Sequence, residues 1–350
     1  MTAPEPRPGL RKVEPYASPQ IDVPVRLNTN ECPRPLPQAF TDDLVRAIGE
    51  LTLNRYPDGQ MTELREELAA RAAHPLEGTW AANGSNEVLD QLLLAYGGIG
   101  HKAILFEPTY QLHARLIWLT HTEPIRFKIE PPYTIGAKEV AASVSMRPHV
   151  VITCSPNNPT GNAQPLDAIK RLAEATSALV IVDEAYIEFG GETALPLVAD
   201  HPNLVVVRTL SKAFAIAGAR VGYCLAAPEV VEDLQRVRLP YHMPALSQAA
   251  GLTALRHAEE ATAILDDIRK ERDRIVDALQ AIPGMKVFRS DANFVLFVPP
   301  KPSKKVWQGL LDRGVLVRDL TTVVPNALRV TAGATEEVDR FLQALSEVLA

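Results

Sequence analysis

From Thr41 onward the chain alternates two kinds of segment. Amphipathic stretches such as Thr62 to Ala73 and Asn86 to Tyr96 carry apolar residues at helical spacing. Between such stretches lie short apolar runs: Ala103 to Phe106, Val150 to Cys154, Leu179 to Val182 and Leu204 to Val207. A strand covered on both faces has no polar side to show, so β-branched runs separated by helical segments predict parallel strands joined by crossover helices. The expected architecture is α/β, a mainly parallel central sheet flanked by helices.

Past residue 250 the pattern changes. Glu259 to Ala281 reads as one long helix with Ile264, Leu265, Ile268, Ile275 and Leu279 near one stripe, ended by Pro283-Gly284. It has the length of a spine between two bodies. Strand-like Asn293 to Val298, Val315 to Val317 and Leu328 to Thr331 follow, with a closing helix from about Glu336, which predicts a smaller α+β domain. The expected organisation is an N-terminal arm over 1–40 packing with the small domain, a large domain over 41–250 and a small C-terminal domain over 251–350. Proline is concentrated in the arm, to Pro37, and in the short link Pro299 to Pro302.

Composition narrows the function. Hydrophobic residues make up 46% and charged residues 22%, near soluble averages, and no apolar run approaches the roughly 18 residues of a membrane span. The N-terminal MTAPEPRPGLRKVEPY has no apolar stretch of signal-peptide length, so a soluble cytoplasmic protein is expected. Cys32, Cys154 and Cys224 are odd in number and widely separated, which suggests neither a disulfide framework nor a metal site. The net charge of -6 comes without basic runs, favouring a small-molecule partner over nucleic acid. There is no G-x-G-x-x-G, Walker lysine, H-E-x-x-H or G-x-S-x-G motif, which sets aside the commonest dehydrogenase, NTPase, zinc-protease and hydrolase designs.

What remains is a polar cluster after each apolar run, where α/β sheets gather ligand sites at strand carboxyl ends. Val150 to Cys154 leads into SPNNPTG, Leu179 to Val182 into DEAY, and Leu204 to Val207 into RTLSKAFAIAGAR; Asn83 to Asn86 opens a helix. In this order, from Leu27 to Thr331, the chain resembles the fold-type I pyridoxal-phosphate aminotransferases. The stretches LNTNECP, RYPD, AANGSNEVL, PYHMPALSQAA and DANFVLF are similar to those of histidinol-phosphate aminotransferases, especially the actinobacterial branch.

The resemblance implies pyridoxal 5'-phosphate as cofactor, with Lys212 as the amine that condenses with its aldehyde and then moves a proton. A lone S-K pair is ordinarily a surface lysine; the strand before Lys212 and Arg220 after it reverse that reading. Asp183, ending the most apolar run, matches the carboxylate that keeps the ring nitrogen protonated, while Glu184 is expected to point away. Asn157 and Tyr186 resemble donors to the ring oxygen, although N-N-P-T-G is also turn chemistry in its own right. Tyr110 matches the aromatic stacked on the ring. Gly84, Ser85 and Asn86 at a helix start, with Ser211 and Arg220, resemble the phosphate cradle. Tyr56 resembles a tyrosine that reaches the phosphate from a partner subunit, implying a homodimer with shared active sites.

Arg329 in LRVTAG matches the arginine that holds the substrate carboxylate. Histidinol phosphate has no carboxylate, so by resemblance Tyr16, Asn30 and Arg318 supply further contacts, with glutamate or 2-oxoglutarate as the other substrate. Arg318 also reads as a surface arginine at a strand end, and Tyr16 as an anchor for the arm. Cys32, His242 and Glu337-Val338 depart from the commoner family residues, which bears on substrate choice and not on the cofactor. An aromatic aminotransferase and a threonine-phosphate decarboxylase share the cofactor motifs and stand as alternatives, as does a non-catalytic sensor domain.

Overall fold

The computed structural model describes residues 4–13, 15 and 19–350; Tyr16 lies outside the described residues. In chain order the regular elements are β1 (Val25–Leu27), α1 (Gln38–Gly49), α2 (Thr62–Ala72), β2 (Thr79–Asn83), α3 (Ser85–Tyr96), β3 (Lys102–Glu107), α4 (Gln111–Leu119) and β4 (Glu123–Lys128). Next come α5 (Ala137–Ser145), β5 (Val150–Cys154), α6 (Leu166–Ala175), β6 (Leu179–Asp183), β7 (Leu204–Thr209), β8 (Val221–Leu225), α7 (Pro228–Val237) and α8 (Ala245–Arg256). The remainder is α9 (Ala258–Gln280), β9 (Lys286–Val287), β10 (Phe294–Val298), α10 (Ser303–Leu311), β11 (Val315–Asp319), β12 (Leu328–Thr331) and α11 (Thr335–Leu349).

A seven-stranded sheet runs β2-β8-β7-β6-β5-β3-β4. Its strands β3 to β7 are parallel, and β8 is antiparallel to both of its neighbours. The apolar runs are explained by where their residues go. Leu179 and Ile181 of β6 pack into one hydrophobic cluster with helix residues such as Leu89 and Leu234, while Val180 and Val182 pack into another with Ile169 and Leu172. Alternate residues of one strand therefore fill opposite faces, and both must be apolar.

Three strands of this sheet were not legible as apolar runs. β4, EPIRFK, is an exposed edge strand that alternates in burial and carries Pro124, which an edge tolerates. β2 is short and alanine-rich, and β8 follows directly on the polar segment that ends at Arg220.

The second sheet runs β1-β11-β12-β10-β9 and packs on α9 and α11. Its first strand comes from the arm, Val25 lying parallel beside Val315. The earlier part of the arm packs elsewhere: the Arg7 guanidinium sits 4.6 Å over the Trp118 ring of α4 and donates to Leu119 O. The arm therefore joins the large body as well as the small domain, because a cation over an indole face and a free helix-end carbonyl are both available on α4.

Helix α8 passes residue 250 without a break, and its Ala254 and Leu255 belong to the large-body core. We therefore place the junction at His257, between α8 and α9. Helix α9 ties the two bodies together. Its Arg269 and Arg272 donate to the carbonyl of Phe189, in the turn that follows β6.

A close backbone approach sets the geometry at the start of α3. A Cβ on Gly222 of β8 would lie 2.0 Å from Ser85 N. Gly222→Ala is therefore expected to destabilise the protein by about 1 to 3 kcal/mol through overpacking against backbone. Gly49→Ala, where no atom lies within 4 Å of the added carbon, is expected to be neutral within about 0.5 kcal/mol. Thermal or urea denaturation of the two variants separates these outcomes, and equal stabilities would refute the close-approach argument.

Candidate active site

A cavity of about 540 Å³ opens at the carboxyl ends of the parallel strands, bounded by the large body, the arm and the small domain. Each wall is supplied by the residue that follows a strand. β2 delivers Ser85 and Asn86 at the start of α3, β3 delivers Tyr110, β6 delivers Asp183 and Tyr186, and β7 delivers Thr209, Ser211 and Lys212. The small domain contributes Arg318 and Arg329, which face each other across β11 and β12.

At one end of the cavity the chain builds an anion cradle. The first-turn N–H groups of α3 have no intrahelical acceptors, and the helix dipole adds positive potential there. Gly84, at φ +78, precedes the helix; a Cβ on it would come 2.5 Å from Arg220 Nη2. Only glycine lets the guanidinium close on this turn. Arg220 Nη1 donates to Ser211 Oγ at 3.3 Å, and Thr209 Oγ1 donates to Ser211 Oγ at 2.9 Å. N–H groups, hydroxyls and a fork of guanidinium donors are the partners a phosphate takes.

Lys212 stands beside this cradle. Its Nζ donates to Thr29 O of the arm at 3.0 Å and lies 6.0 Å from the Tyr186 ring centre. Burial, reinforced by the charges of Arg329 and Arg220 and opposed by Glu31, pushes its pKa down to about 8. An amine so placed is roughly one-tenth neutral at pH 7, far more than an ordinary lysine, which suits it both as nucleophile and as proton carrier.

Asp183 is buried at the cavity floor. Its Oδ2 lies 3.0 Å from Nε2 of the fully buried His113, and Oδ1 accepts from Ala185 N at 3.2 Å. His113, three residues after Tyr110 and so on the same side of α4's first turn, was missed in the sequence; the Y-x-x-H spacing was the signal that could have found it. The rings of Tyr110 and His113 meet edge to face at 5.5 Å. Glu184 does point away: it is buried against Arg208, whose Nε donates to Oε2 at 3.0 Å, and it accepts from Thr193 and Ala194 N.

The expectation for Asn157 is corrected. Asn157 turns into its own loop, donating to Pro108 O and Thr160 Oγ1 and accepting from Thr109 Oγ1, and it does not line the cavity. Asn158 does. It donates from Nδ2 to Tyr186 Oη at 3.3 Å and accepts from Arg329 Nη1 at 2.5 Å. Of two adjacent asparagines in a turn only one can face inward, and turn chemistry claims the first.

Tyr186 Oη also accepts from Asn30 Nδ2 at 3.0 Å, so its own proton is available to donate into the cavity. Burial holds this phenol neutral, its pKa pushed up to about 12. The Asn30 amide is bonded at both ends, Oδ1 receiving Thr331 Oγ1 at 3.2 Å, so Asn30 orients Tyr186 while it lines the cavity. Arg329 Nη2 donates to Asn28 O at 3.0 Å, and its guanidinium lies 4.9 Å over Phe294. Tyr56 is 79% exposed, stacks on Tyr241 at 4.4 Å and does not line the cavity of its own chain. Among the described residues no cluster of three metal-ligating side chains occurs.

Residues 23–345 match the family described as aminotransferase class I and II. Two relatives, both named histidinol-phosphate aminotransferase, are from Streptomyces avermitilis and Paenarthrobacter aurescens. The first is 48% identical, over 98% of this chain and 96% of its own. The second is 46% identical, over 98% and 94%. The solved histidinol-phosphate aminotransferase of Sinorhizobium meliloti, in complex with pyridoxal-5'-phosphate, superposes with a TM-score of 0.89 over 99% of this chain and 98% of that one. At 22% identity this last likeness is one of fold.

The depressed proton affinity of Lys212 makes a stability prediction with a definite sign. Below pH 8 folded and unfolded chains both hold the proton, and folding bears the full cost of enclosing the ammonium. Between about 8 and the ordinary value of 10.5 the folded state has released the proton while the unfolded state keeps it, so stability rises with pH. Melting of the unliganded protein from pH 7.5 to 10, compared with Lys212→Met, is expected to show a rise in the parent that the variant lacks. Parallel curves would contradict the shift.

Proposed function

The chain belongs to the class I and II aminotransferases, and within that family we propose that it transfers the amino group of L-histidinol phosphate to 2-oxoglutarate, giving imidazole acetol phosphate and L-glutamate in histidine biosynthesis. The observation that carries this reading is the placement of Lys212 between two cationic pockets, Arg220 with the start of α3 on one side and Arg318 with Arg329 on the other. A cofactor phosphate and a substrate phosphate need two such pockets.

The cofactor is pyridoxal 5'-phosphate, and the residues present fit it. The Gly84 turn, the α3 N-terminus, Ser211, Thr209 and Arg220 would hold its phosphate; Asp183 would pair with a protonated ring nitrogen; Tyr186 and Asn158 would supply donors for the ring oxygen; Tyr110 would offer an aromatic face to the ring. When bound, the cofactor supplies the aldehyde that takes up the amino group and a ring that accepts the electron pair left on the substrate carbon.

The protein's own contribution is binding, orientation and proton transfer. Lys212 takes the proton from the substrate carbon and returns it nearby, its head steered by Thr29 O. Tyr186 donates one hydrogen bond from a neutral hydroxyl. The buried His113 partner keeps the Asp183 carboxylate fixed in direction, and Arg329 and Arg318 bind the donor's phosphate in one half-reaction and a carboxylate of glutamate in the other.

No helix among the described residues is long and apolar enough to cross a membrane, and we place the enzyme in the cytoplasm. We also infer a homodimer, because Leu53, Tyr56, Leu239 and Tyr241 expose large apolar side chains. Tyr56 in this reading serves the phosphate of the other subunit. Equilibrium sedimentation at micromolar concentration is expected to return the mass of two chains; a single-chain mass would remove the shared site.

Purified enzyme is expected to turn over histidinol phosphate far faster than phenylalanine and to release no carbon dioxide. The opposite preference, or gas release, would move it to an aromatic aminotransferase or to a decarboxylase. Lys212→Ala should abolish the visible absorption of the protein-bound cofactor and cut turnover by at least about 10³-fold. Asn158→Ala should shift that absorption and lower turnover, whereas Asn157→Ala should act mainly on stability. The reverse ranking of the two asparagines would return the role to Asn157.

A further inference from the structure

We infer that Glu31 reads the imidazole ring of the amino donor, an inference that rests on histidinol phosphate being that donor. The charged side chains on the cavity wall are the cations Lys212, Arg220, Arg318 and Arg329 and the carboxylates Asp183 and Glu31. The cations serve the phosphates and carboxylates. Asp183, held in place by His113 and Ala185 N, is committed to the cofactor's ring nitrogen. Glu31 is the remaining anion.

Its direction is fixed by the segment that carries it. Thr29 O receives Lys212 Nζ at 3.0 Å, and Thr29 Oγ1 donates to Glu31 Oε2 at 2.7 Å. Among the described residues nothing donates to Oε1. The carboxylate is therefore tethered through one oxygen next to the reacting lysine and keeps the other for a ligand.

The ring is the part of the donor that matches such an acceptor. A neutral imidazole offers one N–H and a protonated one offers two, and a hydrogen bond to a carboxylate is roughly twice as strong as one between neutral groups. Leu320 and Val323 on the same cavity supply apolar wall for the faces of the ring. Glutamate has no ring and brings carboxylates that Glu31 repels. Glu31 thus acts in one half-reaction and is neutral or unfavourable in the other, which makes it a specificity residue.

The test uses the holoenzyme and Glu31→Gln, an exposed position where folding is not at issue. KM for histidinol phosphate is expected to rise about tenfold with kcat little changed, the mark of lost uniform binding. The loss should be larger at pH 6 than at pH 8.5, because the ring gains its second proton near pH 6.5 and the carboxylate then meets a cation. KM for glutamate should stay the same or fall. Inhibition by O-phosphoethanolamine, a ringless phosphate amine, should be unchanged.

Equal weakening of histidinol phosphate and O-phosphoethanolamine, or an equal reduction of kcat for both amino donors, would overturn the proposal and assign Glu31 to Lys212 instead. An unchanged KM for histidinol phosphate at both pH values would overturn it too. If the parent enzyme fails to use histidinol phosphate at all, the donor assignment is what falls, and the inference falls with it.

Discussion

Strands β5 and β6 are buried at every position and β7 at nearly every one, covered by helices on both faces, so polar side chains can leave the sheet only at the strand ends. The rest of the site depends on that constraint. A charged group within these runs would face an apolar cluster and cost several kcal/mol unless paired, as the half-buried Arg208 and the buried Glu184 are paired with each other. Functional residues are driven to the same rim by the same force that makes the core, and separate crossovers bring Asp183, Lys212 and Asn158 to one cavity although the sequence separates them.

Closing that rim requires contributions from outside the sheet. The arm touches α4 of the large body, then pairs as β1 beside β11, and directly after β1 Thr29 meets Lys212 and Asn30 meets Tyr186. The small domain joins the same network, Arg329 binding both Asn158 of the large body and the Asn28 carbonyl of the arm. Three parts of the chain are therefore hydrogen-bonded to one another through site residues. A displacement of the small domain would be felt at the Tyr186 hydroxyl through two intervening side chains.

What could be read beforehand follows from the same physics. The buried runs at Val150, Leu179 and Leu204 were plain because both faces of each strand are apolar, and Asp183 and Lys212 were plain because each follows such a run. Edge strand β4 showed no such signal, since water is as good a partner as the core for half its side chains. Asn157 and Asn158 could not be told apart by composition: both suit a turn, and which one faces inward is decided by the Pro108 carbonyl and the Thr109 hydroxyl, brought in from β3. The spacing from Tyr110 could place His113 beside the site, but its role is hidden for a related reason. Its role comes from a contact with a residue 70 positions away on another strand.

The electrostatics of the site are incomplete without ligands, and this gives binding and proton transfer a common cause. Burial lowers the proton affinity of Lys212 most, the charges of Arg329 and Arg220 lower it further, and Glu31 works in the other direction. An anion seated against either arginine offsets the charge that depresses the lysine, so filling a pocket raises the amine's hold on a proton. Cations gathered to bind phosphate thus also set when the lysine gives up its proton. Losing an arginine would for that reason change the ionisation of Lys212 as well as anion affinity, and the two effects would separate only in a measurement that follows the lysine directly.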